Sequence, residues 1–448
     1  MRGILLAALV LAAAPALAEE DEWDDVAEEV EQEEAGEEDE ASFAGWIQDH
    51  LSWKGYYENQ LSVFALPRHS ADPDGTGVDL MDMNKLRLDV QVRPLPGFSA
   101  DADVVFRTFH GTKKYHLADM LPEKFGPELA ALESLDPSLV TYRLENEIFL
   151  DNAYLTANFW KLRLRVGKQQ IRFGSGYLWN PTDPFNVIDL LDPSYEKTGV
   201  TAVRLQVFLP NEGLLEAYVL PDADLDDFHL EDTALAFRLR TAAGRWVFAT
   251  TYVYLQDLAG IDPMAVDPAE SAVYSRRHLL GIEITGEIGG MGVWAEAAFN
   301  MMHRDSWQGL QKIGRPDWIE AMAGLSYTFR GGTTVMAEYL YNSRGGQDSD
   351  AYTLTQWFAY LEQTIRTLGR HYATATVQVP VSRIHTTFSV TGMVNISDPS
   401  FLINPFIRFD WTQYLAVMLY GAFTWGHTPE SEFSSVGQAG YVRLRFSF

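Results

Sequence analysis

Apolar and polar residues alternate with a period of two, rather than 3.6, along most of the chain after residue 50. In residues 85–93 every second side chain is apolar, from Leu86 to Val92. The same alternation returns in residues 200–209, 234–240 and 441–448. Alternate side chains of an extended strand lie on opposite faces, so the pattern predicts an all-β protein.

The spacing of these segments predicts the architecture. We count about eighteen strands, and sixteen remains open because strand boundaries taken from sequence err by about two to four residues. They start near residues 51, 84, 98, 142, 161, 199, 212, 231, 245, 274, 291, 318, 332, 371, 383, 400, 412 and 437. Every second connection is a tight turn, and most of the others are long. Short turns at one end and long loops at the other are typical of a transmembrane antiparallel β-barrel, whereas a soluble β-sandwich has no reason to sort its loops this way.

Aromatic residues and the C-terminus agree with a membrane barrel. One aromatic group lies near the predicted short turns and a second near the long loops, as two interfacial girdles would. The two groups are Trp53, Trp160, Trp246, Trp294 and Trp411, and Tyr252, Tyr254, Tyr339, Tyr341 and Trp425. The last strand ends in Phe448, which resembles the insertion signal of bacterial outer-membrane proteins. That resemblance implies the barrel-assembly machinery as a partner.

The N-terminus predicts export. Arg2 precedes an apolar run from Ile4 to Ala14, and Ala16-Leu17-Ala18 is a small-x-small cleavage pattern, so residues 1–18 form a predicted signal peptide. An N-terminal transmembrane anchor is less favoured because the run is short for a span. Residues 19–50 are predicted to be a disordered acidic periplasmic tail with a short helix near its end. The barrel is assigned to residues 51–448.

The composition of the chain and the motifs it lacks argue against several classes of function. The chain has 34 basic and 62 acidic residues, a net charge of −28, which argues against nucleic-acid binding. It has no cysteine, so disulfides, zinc-thiolate sites and a thiol nucleophile are excluded. The ten histidines lack metal-ligand spacing, and no nucleophile elbow or phosphate-binding loop is present. We therefore predict no enzyme activity, no metal and no cofactor.

A barrel of sixteen to eighteen strands encloses an aqueous channel. We predict a strip of inward-facing basic residues, partly balanced by acids: Arg87, Arg163, Arg165, Lys168, Arg172, Arg204, Arg238 and Arg240, with Glu145 and Glu147. A bulge at Gly167 is expected to turn Lys168 and Arg172 inward and to place Glu147 near Arg172. Such a strip would favour anions through its local field. The alternative is that the paired charges only make the wall rigid.

The connection from Gly174 to Lys197 is unusually apolar for a loop and contains three prolines. We predict that it folds into the barrel and narrows it, with its carboxylates facing the arginines. Its constriction residues are Trp179, Asn180, Asp183, Asp189 and Asp192. A lid packed on the outer rim is the alternative.

Three segments carry a family resemblance: Gly167-Lys-Gln-Gln-Ile-Arg-Phe-Gly174, Asn180-Pro-Thr-Asp183 and Gly199-Val-Thr-Ala-Val-Arg204. Together they resemble porin-like outer-membrane families, including alginate-export-like barrels and related Gram-negative barrels. Lys168 stands where those families carry arginine. Alginate exporters imply an electropositive lumen, whereas residues 41–448 hold 47 acidic and 33 basic residues. The resemblance therefore implies an outer-membrane barrel and leaves the substrate open.

We predict a porin-like channel in the bacterial outer membrane, surrounded by lipid, through which small hydrophilic or anionic solutes diffuse. A dedicated exporter or importer of a polymer or apolar compound is the first alternative. An enzyme or adhesin that uses the long loops is the second. Both a monomer and an oligomer stay open.

Overall fold

The computed structural model describes residues 50–66, 77–186, 199–221, 233–261, 272–303, 311–312 and 315–448. The chain divides into two compact units, Met1–Ser52 and Trp53–Phe448. The predicted signal peptide and nearly all of the acidic tail lie outside the described residues, and both stay predictions.

Eighteen strands close into a ring by pairing in chain order, and the last pairs with the first. In order they are β1 (Leu51–Ala65), β2 (Asp79–Leu95), β3 (Phe98–Gly111), β4 (Glu147–Phe159), β5 (Leu162–Gln169), β6 (Val200–Phe208), β7 (Leu214–Leu220), β8 (Ala234–Ala243), β9 (Trp246–Ile261), β10 (Ala272–Ile288), β11 (Met291–Met302), β12 (Asp317–Thr328), β13 (Thr334–Asn342), β14 (His371–Val381), β15 (Thr386–Asn395), β16 (Ser400–Asp410), β17 (Leu415–Gly426) and β18 (Gln438–Ser447). The two-residue strand Gln311–Lys312 adds to the edge of β9. The predicted antiparallel barrel of eighteen strands is confirmed.

All eight predicted tight turns are present, and the other connections join strands at the opposite end. Because chain order and ring order are the same, β1 and β18 complete the ring side by side. The largest errors in the predicted strand starts are at β2, which begins at Asp79 rather than near residue 84, and at β4, which begins at Glu147 rather than near residue 142. We number the long connections L1 to L9 in chain order. Those named below are L2 (residues 112–146), L3 (170–199), L7 (343–370), L8 (396–399) and L9 (427–437).

Apart from His50, which precedes β1, helical residues in the described part of the chain occur only in connections between strands. The α-helices are α1 (Gly126–Leu135) in L2, α2 (Leu354–Leu361) in L7 and α3 (Glu432–Ser435) in L9. The remaining short elements are the 3-10 helices Leu117–Asp119, Glu123–Phe125, Pro137–Val140, Ser349–Ala351 and Ser382–Ile384 and the paired strands Lys114–His116 and Thr141–Arg143. In the described part of the chain, no helix is both long and apolar enough to cross a membrane.

The outer face of the barrel is apolar, as the alternation predicts. On β5, Leu162, Leu164 and Val166 are exposed, whereas Arg163 and Arg165 between them face the interior. An outward apolar band of this kind suits the hydrocarbon of a bilayer, and the fold is that of an outer-membrane barrel.

The aromatic girdle is confirmed in part. Trp160 and Trp411 are strongly exposed at the short turns. Trp294 was wrongly placed in this girdle, because it shares the inward face of β11 with Glu296 and its indole Nε1 donates to Glu338 at 2.9 Å. The ring of Trp294 is partly buried, and the wall carboxylate supplies the hydrogen-bond acceptor that such an indole usually finds.

The bulge predicted at Gly167 is wrong. β5 pairs with both neighbours through this residue without a register shift. A Cβ at Gly167 would lie 2.2 Å from the Ala153 carbonyl oxygen, so the glycine serves close strand approach at a φ of +124°. The bulge is instead on β4, where the register passes from Asn152 to Leu150 and leaves Asp151 as the extra residue.

Candidate functional site

L3 (residues 170–199) leaves β5 and crosses the interior of the barrel. Its described part, residues 170–186, contacts inward-facing side chains of β10, β11, β13 and β14, on the opposite side of the ring. A loop that starts on one wall and binds the other must occupy the lumen. We therefore treat L3 and the wall that holds it as the candidate functional site.

Two wall carboxylates anchor the backbone of L3. Glu338 on β13 accepts hydrogen bonds from the backbone nitrogens of Tyr177 at 2.5 Å and Leu178 at 2.8 Å. Glu296 on β11 accepts from the nitrogens of Ser175 and Gly176, the second at 3.0 Å. Both carboxylates are buried. Hydrogen bonds to a charged acceptor are stronger than neutral ones, so these two residues fix the position of the loop.

Thr182 extends the anchorage to β10. Its hydroxyl lies 3.0 Å from Glu296 and 3.1 Å from Glu283. Glu283 and Glu296 stand directly opposite each other in the β10–β11 ladder, which is unfavourable for two like charges. Arg238 on β8 forms an ion pair with Glu283 at 2.6 Å and offsets that repulsion.

The turn of L3 is held by its own residues. Gly174 has a φ of +87°, and a Cβ there would lie 2.3 Å from the Asn180 side chain. The Asn180 carbonyl oxygen Oδ1 accepts a hydrogen bond from the Gly176 nitrogen at 2.8 Å. Asn180 therefore shapes the turn, and a side chain larger than hydrogen at position 174 would displace it.

Trp179 joins L3 to the far wall. It is 2% exposed, and its ring meets that of Tyr372 on β14 at 6.0 Å with an interplanar angle of 64°. This edge-to-face contact belongs to a buried cluster that includes Met322 and Leu340 of β12 and β13. The position of Trp179 agrees with the predicted inward fold, and its effect on passage is a proposal below.

The predicted role of Asp183 differs from its observed contacts. Its carboxylate accepts hydrogen bonds from Phe173 N at 3.1 Å, Phe185 N at 3.0 Å and Asn186 Nδ2 at 2.7 Å, so it stabilises the turn of L3. Its backbone carbonyl accepts from Arg366 of L7. Asp189 and Asp192 lie outside the described residues.

No protein-family model and no curated protein matches the sequence. The structure is similar to OccAB2 of Acinetobacter baumannii, with 9% identity, a TM-score of 0.53, and 89% of this chain and 98% of that chain covered. OccK11 (OpdR) of Pseudomonas aeruginosa shares 9% identity at a TM-score of 0.52 over 88% and 95% of the two chains. A BenF-like porin of Pseudomonas fluorescens Pf-5 shares 8% identity at 0.51 over 89% and 98%.

The fold is that of an outer-membrane porin. The predicted porin-like architecture is thereby confirmed, and the narrower resemblance to alginate-export-like barrels stays a prediction.

Within this porin fold, three of the predicted arginines are neutralised by carboxylates of the wall. Arg87 on β2 contacts Asp89 at 2.6 Å, Asp103 at 2.8 Å and Asp151. Arg204 on β6 contacts Glu216 at 2.6 Å. Arg238 is likewise paired with Glu283. Because each of these three arginines is next to a carboxylate, this part of the strip contributes little positive potential to the lumen.

The other inward arginines lie toward the short turns and lack such neutralisation. Arg163 donates to Asn158 at 2.7 Å, and Arg165 donates to Thr156 at 3.1 Å and lies over the Tyr154 ring. Arg240 alternates with the outward-facing Leu239 and is exposed. Among the described residues, none of these three arginines forms an ion pair with a carboxylate. They therefore contribute positive potential in this half of the lumen.

Lys168 is placed differently from the prediction. Lys168 pairs with the exposed Thr201 on the outward face, and its Nζ donates to the Leu150 carbonyl at 2.7 Å. Because β5 has no bulge, its alternation continues and points Lys168 away from the lumen. A lysine at the edge of an apolar band can reach polar groups through its long side chain.

The predicted pairing of Glu147 with Arg172 is also wrong. Glu147 begins β4 opposite Arg107 and forms an ion pair with it at 3.0 Å. Glu145 precedes the strand in L2, where its side chain is 76% exposed. Arg172 is exposed in L3 between two buried residues.

The sequence prediction missed the acidic side of the interior. Glu283, Glu296, Glu320 and Glu338 are buried on the inward faces of four successive strands, β10 to β13. The neighbouring residues Ile282, Ile319 and Tyr339 are exposed on the outer face, so the alternation places the glutamate side chains in the interior. This local pattern does not predict which loop the glutamates bind.

A second basic group also escaped prediction. Trp318 on β12 lies between Arg277 on β10, at 5.2 Å, and Arg344 of L7, at 4.5 Å. Together with Arg366, which pairs with Glu320 at 2.8 Å, they line a cavity of about 30 Å³. Burial lowers the pKa of Arg344. The described residues contain no group of three or more side chains arranged to bind a metal.

Proposed function

We propose that the protein is an outer-membrane channel through which small hydrophilic solutes pass by diffusion, and that it is not an enzyme. The observation that carries the proposal is the lumen itself: an inward face of charged residues, narrowed by a loop that two buried carboxylates hold in place. The porin fold supports it, because an eighteen-stranded barrel leaves an aqueous passage that side chains alone do not fill. A fixed loop sets an upper limit on solute size.

The interior also suggests a weak preference for anions. Arg87, Arg204 and Arg238 form close ion pairs with wall carboxylates. The opposite charges of such a pair largely cancel at distances greater than their separation. Arg163, Arg165 and Arg240 lack such partners and lie toward the short turns. We propose that this group, rather than the whole predicted strip, biases the channel toward anions.

Single-channel recording in planar bilayers tests conduction. Refolded, heat-modifiable protein is expected to give discrete conductance steps in KCl. A folded barrel that gives no steps at any voltage or pH would contradict the proposed channel. Liposome swelling with neutral sugars of increasing size would then measure the limit that L3 imposes.

Replacing Arg163, Arg165 and Arg240 together with glutamine is expected to move the reversal potential in a KCl gradient toward potassium preference. The physical reason is the loss of three positive charges that have no carboxylate partner in the described structure. The matched control is Lys168→Gln, which removes one positive charge from the outer face and should leave the reversal potential unchanged. An equal shift in the control, or none in the triple variant, would show that these arginines do not set selectivity.

Assembly partners follow from the same proposal. We propose that the barrel-assembly machinery recognises β18 together with Phe448, which follows the strand and packs against Trp53 with ring centroids 6.0 Å apart. The outer apolar band would contact lipid. Deletion of Phe448 is expected to reduce the folded, membrane-inserted fraction in cells, which heat-modifiable mobility measures.

A further inference from the structure

A glutamate in L9 (residues 427–437) is buried among polar groups from other connections. Glu432 begins α3 and is 0% exposed. Its Oε2 accepts hydrogen bonds from Asn395 Nδ2 at 2.7 Å and from the Tyr372 hydroxyl. Its backbone nitrogen donates to Asp398 of L8 at 2.7 Å. One residue thus ties L9 to L8 and to the ends of β14 and β15.

L7 (residues 343–370) completes this cluster. The hydroxyl of Tyr352 accepts a hydrogen bond from Asn395 at 3.0 Å, and Tyr360 at the end of α2 also faces Glu432. L7 and L2 (residues 112–146) share a buried apolar core that includes Leu121, Phe125 and Trp357. Because L2 and L7 start from nearly opposite points of the ring, this shared core makes a cap over the mouth of the barrel.

The environment of Glu432 disfavours a charged carboxylate. The titratable groups that face it are Asp398, Tyr352, Tyr360 and Tyr372, and no cation is among those that the described structure places against it. Burial, followed by the nearby Asp398 carboxylate, raises the pKa of Glu432 to about 8. An ionised carboxylate without a cation is costly in such a site.

The cluster is connected to the constriction. Tyr372, which donates to Glu432, is also the residue against which Trp179 of L3 packs. Arg366 of L7 binds the Asp183 carbonyl of L3 as well as Glu320 of the wall. A movement of L7 or L9 therefore changes contacts of L3 directly.

We propose that the carboxyl of Glu432 is a proton-operated clasp. In its neutral form it holds L7, L8 and L9 together beneath the cap. When it ionises, the buried charge is released to water and the loops separate. The proposal rests on the proposed function, since it describes how the channel would open.

The direction of the pH effect follows from the two environments. In the closed form the pKa of Glu432 is raised to about 8, and in an open, solvated form it returns toward an ordinary value near 4.3. The closed form then binds the proton more tightly than the open form. Protonation of Glu432 therefore stabilises the closed form fully at a pH below about 4.3, the ordinary pKa. This stabilisation is lost as the pH rises to about 8, the pKa of Glu432 in the closed form. Within this window each pH unit changes the ratio of open to closed channels by up to about tenfold.

The test is the open probability in planar bilayers between pH 5 and pH 8.5. Wild type is expected to open progressively as pH rises. Glu432→Gln keeps the size and neutral state of the side chain, so it is expected to remain closed throughout and to lose the dependence on pH. Glu362→Gln, which removes an exposed carboxylate from the same loop as α2, is the matched control and should follow wild type.

Hydrogen–deuterium exchange of residues 343–370 in wild type provides a measurement that does not depend on conduction. Exchange is expected to be faster at pH 8.5 than at pH 5 after correction for the intrinsic rate, and the difference should vanish in Glu432→Gln. Conducting channels with pH-independent opening and exchange would overturn the clasp but not the channel. Exchange that depends on pH, in a protein that shows no conductance, would support the proposed clasp and contradict the proposed channel function.

Discussion

Alanine at both Glu296 and Glu338 is expected to raise the single-channel conductance and the size limit for sugars. These carboxylates accept at least four backbone hydrogen bonds from residues 175–178 of L3. Hydrogen bonds to a charged group contribute about 1.5–3 kcal/mol each, so loss of both acceptors removes most of the force that seats the loop. The loop would then exchange its wall contacts for water and vacate part of the lumen.

The matched control is Glu287→Ala on β10. Glu287 is an exposed carboxylate on the same inward face as Glu283, near the short turn. The substitution Glu287→Ala removes the same charged group from the wall without changing a contact of L3, so the conductance should change little. If the double variant is folded and conducts as wild type does, L3 is not the constriction. That result would favour the alternative in which L3 is a lid packed on the outer rim.

Methionine at Arg87 is expected to cost the barrel about 3–5 kcal/mol in free energy of unfolding, as loss of one partner of a buried ion pair does. Arg87 is the shared partner of Asp89, Asp103 and Asp151 on three adjacent strands, and its side chain is only 12% exposed. Methionine keeps much of the volume but leaves three carboxylates facing one another. Urea titration, read by heat-modifiable mobility, measures the change.

Arg408→Met is the control for that variant. Arg408 pairs with Asp410 at 2.8 Å, but both side chains are nearly half exposed. Exposed ion pairs contribute about 0–1 kcal/mol, so this substitution should change the free energy of unfolding very little. Equal losses of stability in the two variants would show that the Arg87 cluster is not a special feature of the wall.

Part of the candidate site could be predicted from local pattern. Arg163 and Arg165 alternate with Leu162 and Leu164, which fixes their inward direction once the outer face is known to be apolar. The inward position of Trp179 is predictable because a large apolar residue in a loop needs a surface to pack against. Both inferences use only neighbouring residues in the chain, and both placements agree with the structure.

The errors come from contacts between distant residues. Lys168 was turned inward by a bulge assigned to Gly167, whereas the bulge is at Asp151 on the neighbouring strand. A glycine in a strand fits either a bulge or a close approach, and only the partner strand distinguishes them. Asp183 was expected to face arginines, but its carboxylate stabilises its own turn.

Local patterns in the sequence were enough to predict the antiparallel barrel of about eighteen strands and the separation of short turns from long loops. These features follow from a period of two and from turn residues, which are local properties of the chain. Three features depend on the folded chain: which charges remain unpaired, which carboxylates hold L3 and which loops meet at Glu432. The contacts of L3 with Glu296 and Glu338 join residues more than a hundred positions apart, and those of Glu432 join residues 34 to 60 positions apart. Their partners are set by ring closure and loop packing, which no local pattern encodes.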